Sequence, residues 1–343
     1  MVTGVVQRVP SERLGSALTP ILEAKGFGPA TNLARTERGF ATETYLFTAE
    51  DSEGTPVPLV FRRPPEVSLF PDYDLRRQYL VMDRLRAATD LAVPSVRWID
   101  PGDENPLGSP YLVMDQITGG VAPSDFPSYH TAGTYFDADE AGRRQMWFAC
   151  VDTIAAVHQV DVPSAGLGFL AMPKFGTGAL EQVVNYLDAA VHWASPSPAP
   201  AFDRAIAWLR DNSYEPEHTT LVWGDARMSN ILYSPERTVR GVLDWEIAYL
   251  GDHEADLAWM LFLDWACSEF EGHPVLPGTP SREETIAHYE VQTGWRVENL
   301  MYNEVLAAVL LAVPLIRMAT HLNLGPDVDI VGFCVARIEQ LLG

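Results

Sequence analysis

The apolar positions along this chain follow two rhythms. Over residues 11–25, Leu14, Leu18, Ile21 and Leu22 recur three and four apart, which predicts an amphipathic helix that Ser11 can cap and Gly26 can end. The period then shortens to two. Residues 30–37, 43–50 and 57–62 read as strands, the first two joined by a turn at Arg38-Gly39-Phe40. A charged helix is expected over 74–88, then two more strands over 95–99 and 111–114. Gly119-Gly120 breaks the pattern and marks a boundary.

Beyond that pair the helical period dominates. Helices are expected over 142–159, 180–194, 201–212, 254–269, 282–292, 302–322 and 327–342, interrupted by short strands at 220–223, 231–233 and 239–243. Proline-rich 195–200 and 272–280 read as loops, and no internal repeat is visible. The expectation is an α+β chain, with a small β-rich lobe over 1–118 and a larger, mainly helical lobe over 119–343. The longest apolar run, 306–316, is too short for a bilayer and contains Pro314, so it reads as a core helix.

Composition adds exclusions. The chain is 47% hydrophobic and 20% charged, enough to bury a sizeable core and unlike a disordered chain. The first residues show no basic start followed by an apolar run, so no signal peptide is expected. Cys150, Cys267 and Cys334 are far apart, odd in number and outside any CxxC pattern, which argues against a disulfide framework or a zinc site. The reading is a cytoplasmic enzyme with no membrane partner. The net charge of −22 makes nucleic acid an improbable partner. That charge is uneven: residues 1–118 hold 16 acids and 12 bases, the remainder 30 acids and 12 bases. A solvated acidic surface explains this, and a field that attracts a cationic substrate is the sharper alternative.

The strongest chemical signal is an apolar strand running into Trp223-Gly224-Asp225-Ala226-Arg227, with Asn230 five residues after Asp225. A second apolar strand ends in Leu243-Asp244-Trp245-Glu246. Phosphoryl transfer needs one carboxylate to orient the attacking hydroxyl, oxygen ligands to hold Mg²⁺ on the phosphates, and a cation to offset charge on the γ-phosphoryl. Asp225 suits the first role, Asn230 and Asp244 the second, and Arg227 the third. Glu246 reads equally as a second metal-side carboxylate or a structural acceptor. His158 reads as a core helix histidine.

Asp225-x4-Asn230, the strand ending in Asp244-Trp245-Glu246, then Gly251-Asp252 and Asp256-Leu257-Ala258 resemble the aminoglycoside phosphotransferase family, and its actinobacterial phosphotransferase branch in particular. Relatives of that branch also occur fused to acyl-CoA dehydrogenases. The resemblance implies a two-lobed protein-kinase-like fold and an ATP-dependent, Mg²⁺-dependent transfer of the γ-phosphoryl group to a hydroxyl of a small molecule, aminoglycoside-like or another hydroxylated metabolite. It implies that Asp256 anchors the catalytic loop from its helix. Three positions depart from the family. Trp223 stands where the loop begins with His, and is expected to keep that supporting role through packing. No lysine lies on a small-lobe strand, so Arg62 is the expected phosphate cation, alternation deciding between it and Arg63. Gln78 takes the place of that cation's usual glutamate partner. The nucleotide-covering loop would run over 38–44, with Gly39 as its turn and Thr42 against phosphate, and the backbone near Asp115 and Ile117 would bind the adenine edge. A nucleotide-binding pseudokinase acting by interaction and a metal-dependent hydrolase using Asp225 and Asp244 are the competing functions.

Overall fold

The computed structural model describes residues 9–36, 42–102, 104–195, 199–321 and 329–343. Gly39, the expected turn of the nucleotide-covering loop, lies outside the described residues. The chain divides into two compact units, one made of Met1–Ser68, Asp72–Asp83 and Pro94–Thr118, the other of Leu69–Pro71, Arg84–Val93 and Gly119–Gly343.

The first unit is built on an antiparallel sheet. Its strands are β1 (Thr31–Arg35), β2 (Glu43–Glu50), β3 (Pro56–Arg63), β4 (Val96–Asp100) and β5 (Tyr111–Asp115), in the order β1-β2-β3-β5-β4. Alternation along β2 sends Tyr45, Phe47 and Ala49 to one side, where Leu59 and Phe61 of β3 and Tyr111 and Val113 of β5 join them. Helix α1 (Leu14–Ala24) closes this core with Leu14, Leu18, Ile21 and Leu22, the four residues that share a face in the sequence. Gly26 ends it at φ +81°. Ser11 does not cap this helix. Residues Ser11–Arg13 form a 3-10 turn, and the Ser11 hydroxyl instead meets the Tyr45 hydroxyl at 2.7 Å. Helix α2 (Leu75–Ala88) follows the sheet's third strand.

The second unit is mainly helical: α3 (Glu140–His158), α4 (Ala179–Ala194), α5 (Pro200–Asp211), α6 (Ala255–Trp265), α7 (Arg282–Thr293), α8 (Leu300–His321) and α9 (Gly332–Leu342). Helix α8 is long and apolar enough to cross a membrane by length and composition, and 67% of its most apolar window is buried against the rest of the structure. Two short antiparallel ribbons interrupt the helices. β6 (Thr219–Val222) pairs with β9 (Tyr249–Asp252), and β7 (Ile231–Tyr233) pairs with β8 (Val239–Val242). Strand β9 has no counterpart in the sequence reading. Its four residues include Gly251 and Asp252, both poor strand formers, and pairing with β6 decides its conformation.

Candidate active site

Strand β6 buries Leu221 and Val222 and delivers the chain to Trp223-Gly224-Asp225. The turn requires glycine: Gly224 has φ +90°, and a Cβ there would lie 2.5 Å from the Ile247 carbonyl oxygen. Asp256, wholly buried on the first turn of α6, grips this backbone with both oxygens. Its Oδ2 accepts from the Trp223 N–H at 2.7 Å and its Oδ1 from the Gly224 N–H at 2.8 Å. Behind it, His158 Nε2 lies 3.0 Å from Asp256 Oδ2, and His158 Nδ1 lies 2.7 Å from the Tyr289 hydroxyl, which donates to the His253 carbonyl at 2.9 Å. Asp256 therefore anchors the loop, and His158 is a core histidine that backs it.

The loop side chains converge on Asp225. Its Oδ2 accepts from Arg227 Nη2 at 2.9 Å and from Asn230 Nδ2 at 2.7 Å, while its Oδ1 accepts from the Trp259 indole N–H at 3.1 Å. Burial holds the Asp225 carboxyl above its ordinary value, against the pull of the Arg227 charge and the Asn230 hydrogen bond, and with a further push from Asp244 and Asp125. Burial works against the Arg227 charge, yet Asp225 and Asp125 outweigh it and hold the guanidinium protonated.

Asp125 is a residue that the sequence reading missed. Its Oδ2 accepts from Arg227 Nη1 at 2.8 Å and from the Ser229 hydroxyl at 2.7 Å. Arg227, expected to reach the γ-phosphate, thus spans two carboxylates. No local signal marks Asp125, because its partners lie about a hundred residues downstream.

Asn230 donates its amide N–H to the Asp225 carbonyl as well, at 2.9 Å, so its Oδ1 is the atom that can face a metal. The Leu243 N–H donates to the Asn230 carbonyl at 2.8 Å, which sets Asn230 beside the end of β8. There Asp244 adopts φ +59°, in the left-handed region that non-glycine residues rarely enter. The Trp223 indole N–H meets the carbonyls of Leu243 and Asp244 at 2.8 and 3.1 Å, and its ring lies 5.5 Å from that of Trp245. Trp223 thus supports this peptide through hydrogen bonds as well as packing. The donor set offers hard oxygens from Asn230 and Asp244, a type that Mg²⁺ favours.

In the first unit, β3 carries both candidate cations. Arg63 is 1% exposed and pairs with Glu43 Oε2 at 2.6 Å, with its Nη1 donating to the Val9 carbonyl. It is committed to the fold, and alternation puts Arg62 on the opposite face. Gln78 of α2 is 1% exposed, and neither of its amide atoms has a hydrogen-bond partner among the described residues, an arrangement that suits a site for a polar ligand. The Thr42 hydroxyl meets the Tyr73 hydroxyl. Asp115 ends β5, its carboxylate on Arg97 at 2.6 Å and its N–H on the Ser95 carbonyl, and Ile117 follows two residues on.

Among the described residues, one group of three could bring His or acidic ligand atoms within metal-holding range: Asp252, His253 and Glu254. Its atoms already serve the fold. Asp252 Oδ2 accepts from Tyr214 and, at 2.8 Å, from Asn303 Nδ2. Glu254 Oε1 accepts from the N–H groups of Glu298 and Asn299 at 2.8 and 2.9 Å, just ahead of α8. His253 Nε2 bonds the Arg296 carbonyl at 3.0 Å, and its Nδ1 lies 2.9 Å from Asp252 Oδ1, close enough for an ion pair though the angle falls short of a hydrogen bond.

These features match a known class. The chain belongs to the phosphotransferase enzyme family, whose model matches residues 33–295. A curated relative, acyl-CoA dehydrogenase family member 10 of Mus musculus, is 28% identical over 279 residues, which is 81% of this chain and 24% of that protein. The chain spans about a quarter of the length of such relatives. Among solved structures, a protein provisionally assigned as an aminoglycoside phosphotransferase from Ralstonia eutropha matches with a TM-score of 0.68 at 22% identity, covering 97% of this chain and 96% of that one. A thermostable aminoglycoside phosphotransferase in ternary complex with AMP-PNP and hygromycin B matches with a TM-score of 0.61 at 15% identity, covering 97% and 98%. The fold is that of the kinase-like phosphotransferases, with a β-sheet N-terminal region and a helical C-terminal part.

Proposed function

We propose that this phosphotransferase moves the γ-phosphoryl group of ATP to a hydroxyl of a small molecule, with Asp225 as the group that orients and deprotonates that hydroxyl. The observation that carries the reading is the convergence of Arg227, Asn230 and Trp259 on one partly buried carboxylate. Asp225 accepts the proton of the acceptor hydroxyl as its oxygen bonds the γ-phosphorus, and the bond to the bridging oxygen breaks with its electron pair leaving on ADP. Arg227 keeps a positive charge beside the transferred group. Asn230 and Asp244 are the proposed Mg²⁺ ligands; the bound ion offsets charge on the phosphates. The residues of 1–118 are assigned to the nucleotide, with Arg62 and Gln78 toward its phosphates and the backbone near Asp115 and Ile117 toward adenine. Thr42 and Gly39 complete that assignment. The AMP-PNP complex of the structural neighbour supports ATP as the donor.

The acceptor is read as a low-molecular-weight alcohol rather than a protein. Only eleven residues separate Asp244 from Asp256, and Tyr249–Asp252 form β9, so no long activation segment is present there to dock a polypeptide. Neighbours named for aminoglycoside and ethanolamine substrates are consistent with such an alcohol. The test is ADP release on a panel of hydroxylated small molecules that includes hygromycin B and ethanolamine. Stimulated release with a phosphorylated alcohol as product is expected. Phosphorylation of protein substrates with none of any small alcohol overturns the reading, and ATP binding without any turnover makes the protein a pseudokinase.

A further inference from the structure

We infer that Trp259 is a positioning residue for Asp225, leaving that carboxylate one lone pair with a fixed direction for the acceptor hydroxyl; this rests on the reading of Asp225 above. A carboxylate offers about four acceptor sites, two on each oxygen. At Asp225, Oδ2 is filled by Arg227 Nη2 and Asn230 Nδ2, and Oδ1 holds the Trp259 indole N–H at 3.1 Å. One site remains, on Oδ1. Bonds to Oδ2 alone pin one corner of the carboxylate, and the indole bond fixes the plane about it. An indole N–H donates and never accepts, so Trp259 supports the charged carboxylate without competing for the hydroxyl proton.

The helix explains how this is held. Trp259 is 3% exposed and lies three residues after Asp256 on α6, so both project from one face. Asp256 fixes the backbone of residues 223 and 224, and Trp259 fixes the side chain of the next residue. One turn of helix therefore sets both the position of the loop and the orientation of its carboxylate. The spacing Asp-x-x-Trp is the sequence signature of this device.

The test replaces Trp259 with 3-benzothienylalanine, which keeps the ring shape and puts sulfur where the N–H stands, alongside Trp259→Phe and Asp225→Asn. The probe is MgATP, with ADP release followed with water and with ethanolamine as acceptors. The sulfur isostere should lose on the order of tenfold in kcat, since the lost bond is to a charged group, with KM for ATP within about twofold of the parent. An unchanged kcat, or a change in KM alone, overturns the inference while a loss in Asp225→Asn keeps the reading of Asp225. Near-normal turnover in Asp225→Asn overturns that reading and this inference with it. Independently of turnover, the Trp259 indole proton resonance, assigned by its loss in Trp259→Phe, should move upfield in Asp225→Asn. An unmoved resonance also overturns the inference.

Discussion

A carboxylate that must take a proton late in a reaction works best when it is not fully solvated, and Asp225 meets that condition while the Arg227 guanidinium holds one of its oxygens. Replacing it with Asn keeps the size and removes the base. Asp225→Asn should retain nucleotide binding, measured by calorimetry, while turnover falls on the order of 10²-fold or more. The two adjacent arginines of β3 part company in the same way. Arg63→Ala removes the guanidinium that pairs with the buried Glu43 carboxylate and should lower stability by roughly 3–5 kcal/mol in denaturant titration. Arg62→Ala should leave stability closer to the parent and weaken ATP binding more, in equilibrium titrations of each variant. At this scale, the candidate residues that the sequence marks are those set close together in one motif, such as Asp225, Asn230 and Asp244. Asp125 was not legible, because a single acid in an irregular segment carries no period or spacing.

Helices and strands decide what the residues can reach. Helix α6 was legible from its period, although its end was placed too late: the regular helix stops at Trp265 and a π-helix follows over Ala266–Phe270. The junction of β9 and α6 was legible only in part: the motif marked Asp252, but no local signal shows that Asp252, His253 and Glu254 are all buried. Burial opposes charge on His253, yet its contact with Asp252 wins and raises its pKa above 6.5. Burial likewise raises the Asp252 carboxyl, but the close contact with His253 and hydrogen bonds from Tyr214 and Asn303 win and hold it below 3.8. His253 therefore contributes stability that is fully present below its unfolded value of 6.5 and is lost as pH rises through the higher folded value. Asp252 contributes stability present above 3.8 and lost as pH falls through its lower folded value. The melting temperature of the parent should thus decline on the alkaline side of 6.5 from this source, and His253→Gln should flatten that limb. A limb unchanged by the substitution assigns the decline to other groups.

The whole molecule carries a net charge of −22, and like charge spread over a compact chain repels itself. Raising NaCl from about 10 to about 150 mM shortens the screening length from roughly 30 Å to roughly 8 Å and should raise the melting temperature. The division into a β-rich and a helical part was legible because strand-like runs dominate before Gly119 and the helical period dominates after it. The left-handed residue at the end of β8 was not, since Asp244 reads there as an ordinary strand terminus. That residue carries a consequence for how such a chain can be engineered. An l-aspartate held at φ +59° is less comfortable than a glycine would be, by about 1–2 kcal/mol. Selection for heat resistance alone would therefore favour Asp244→Gly, and the same exchange deletes the proposed metal carboxylate. In a library sorted for thermal survival, this position should enrich for inactive clones, and only a sort that demands turnover would hold the aspartate in place.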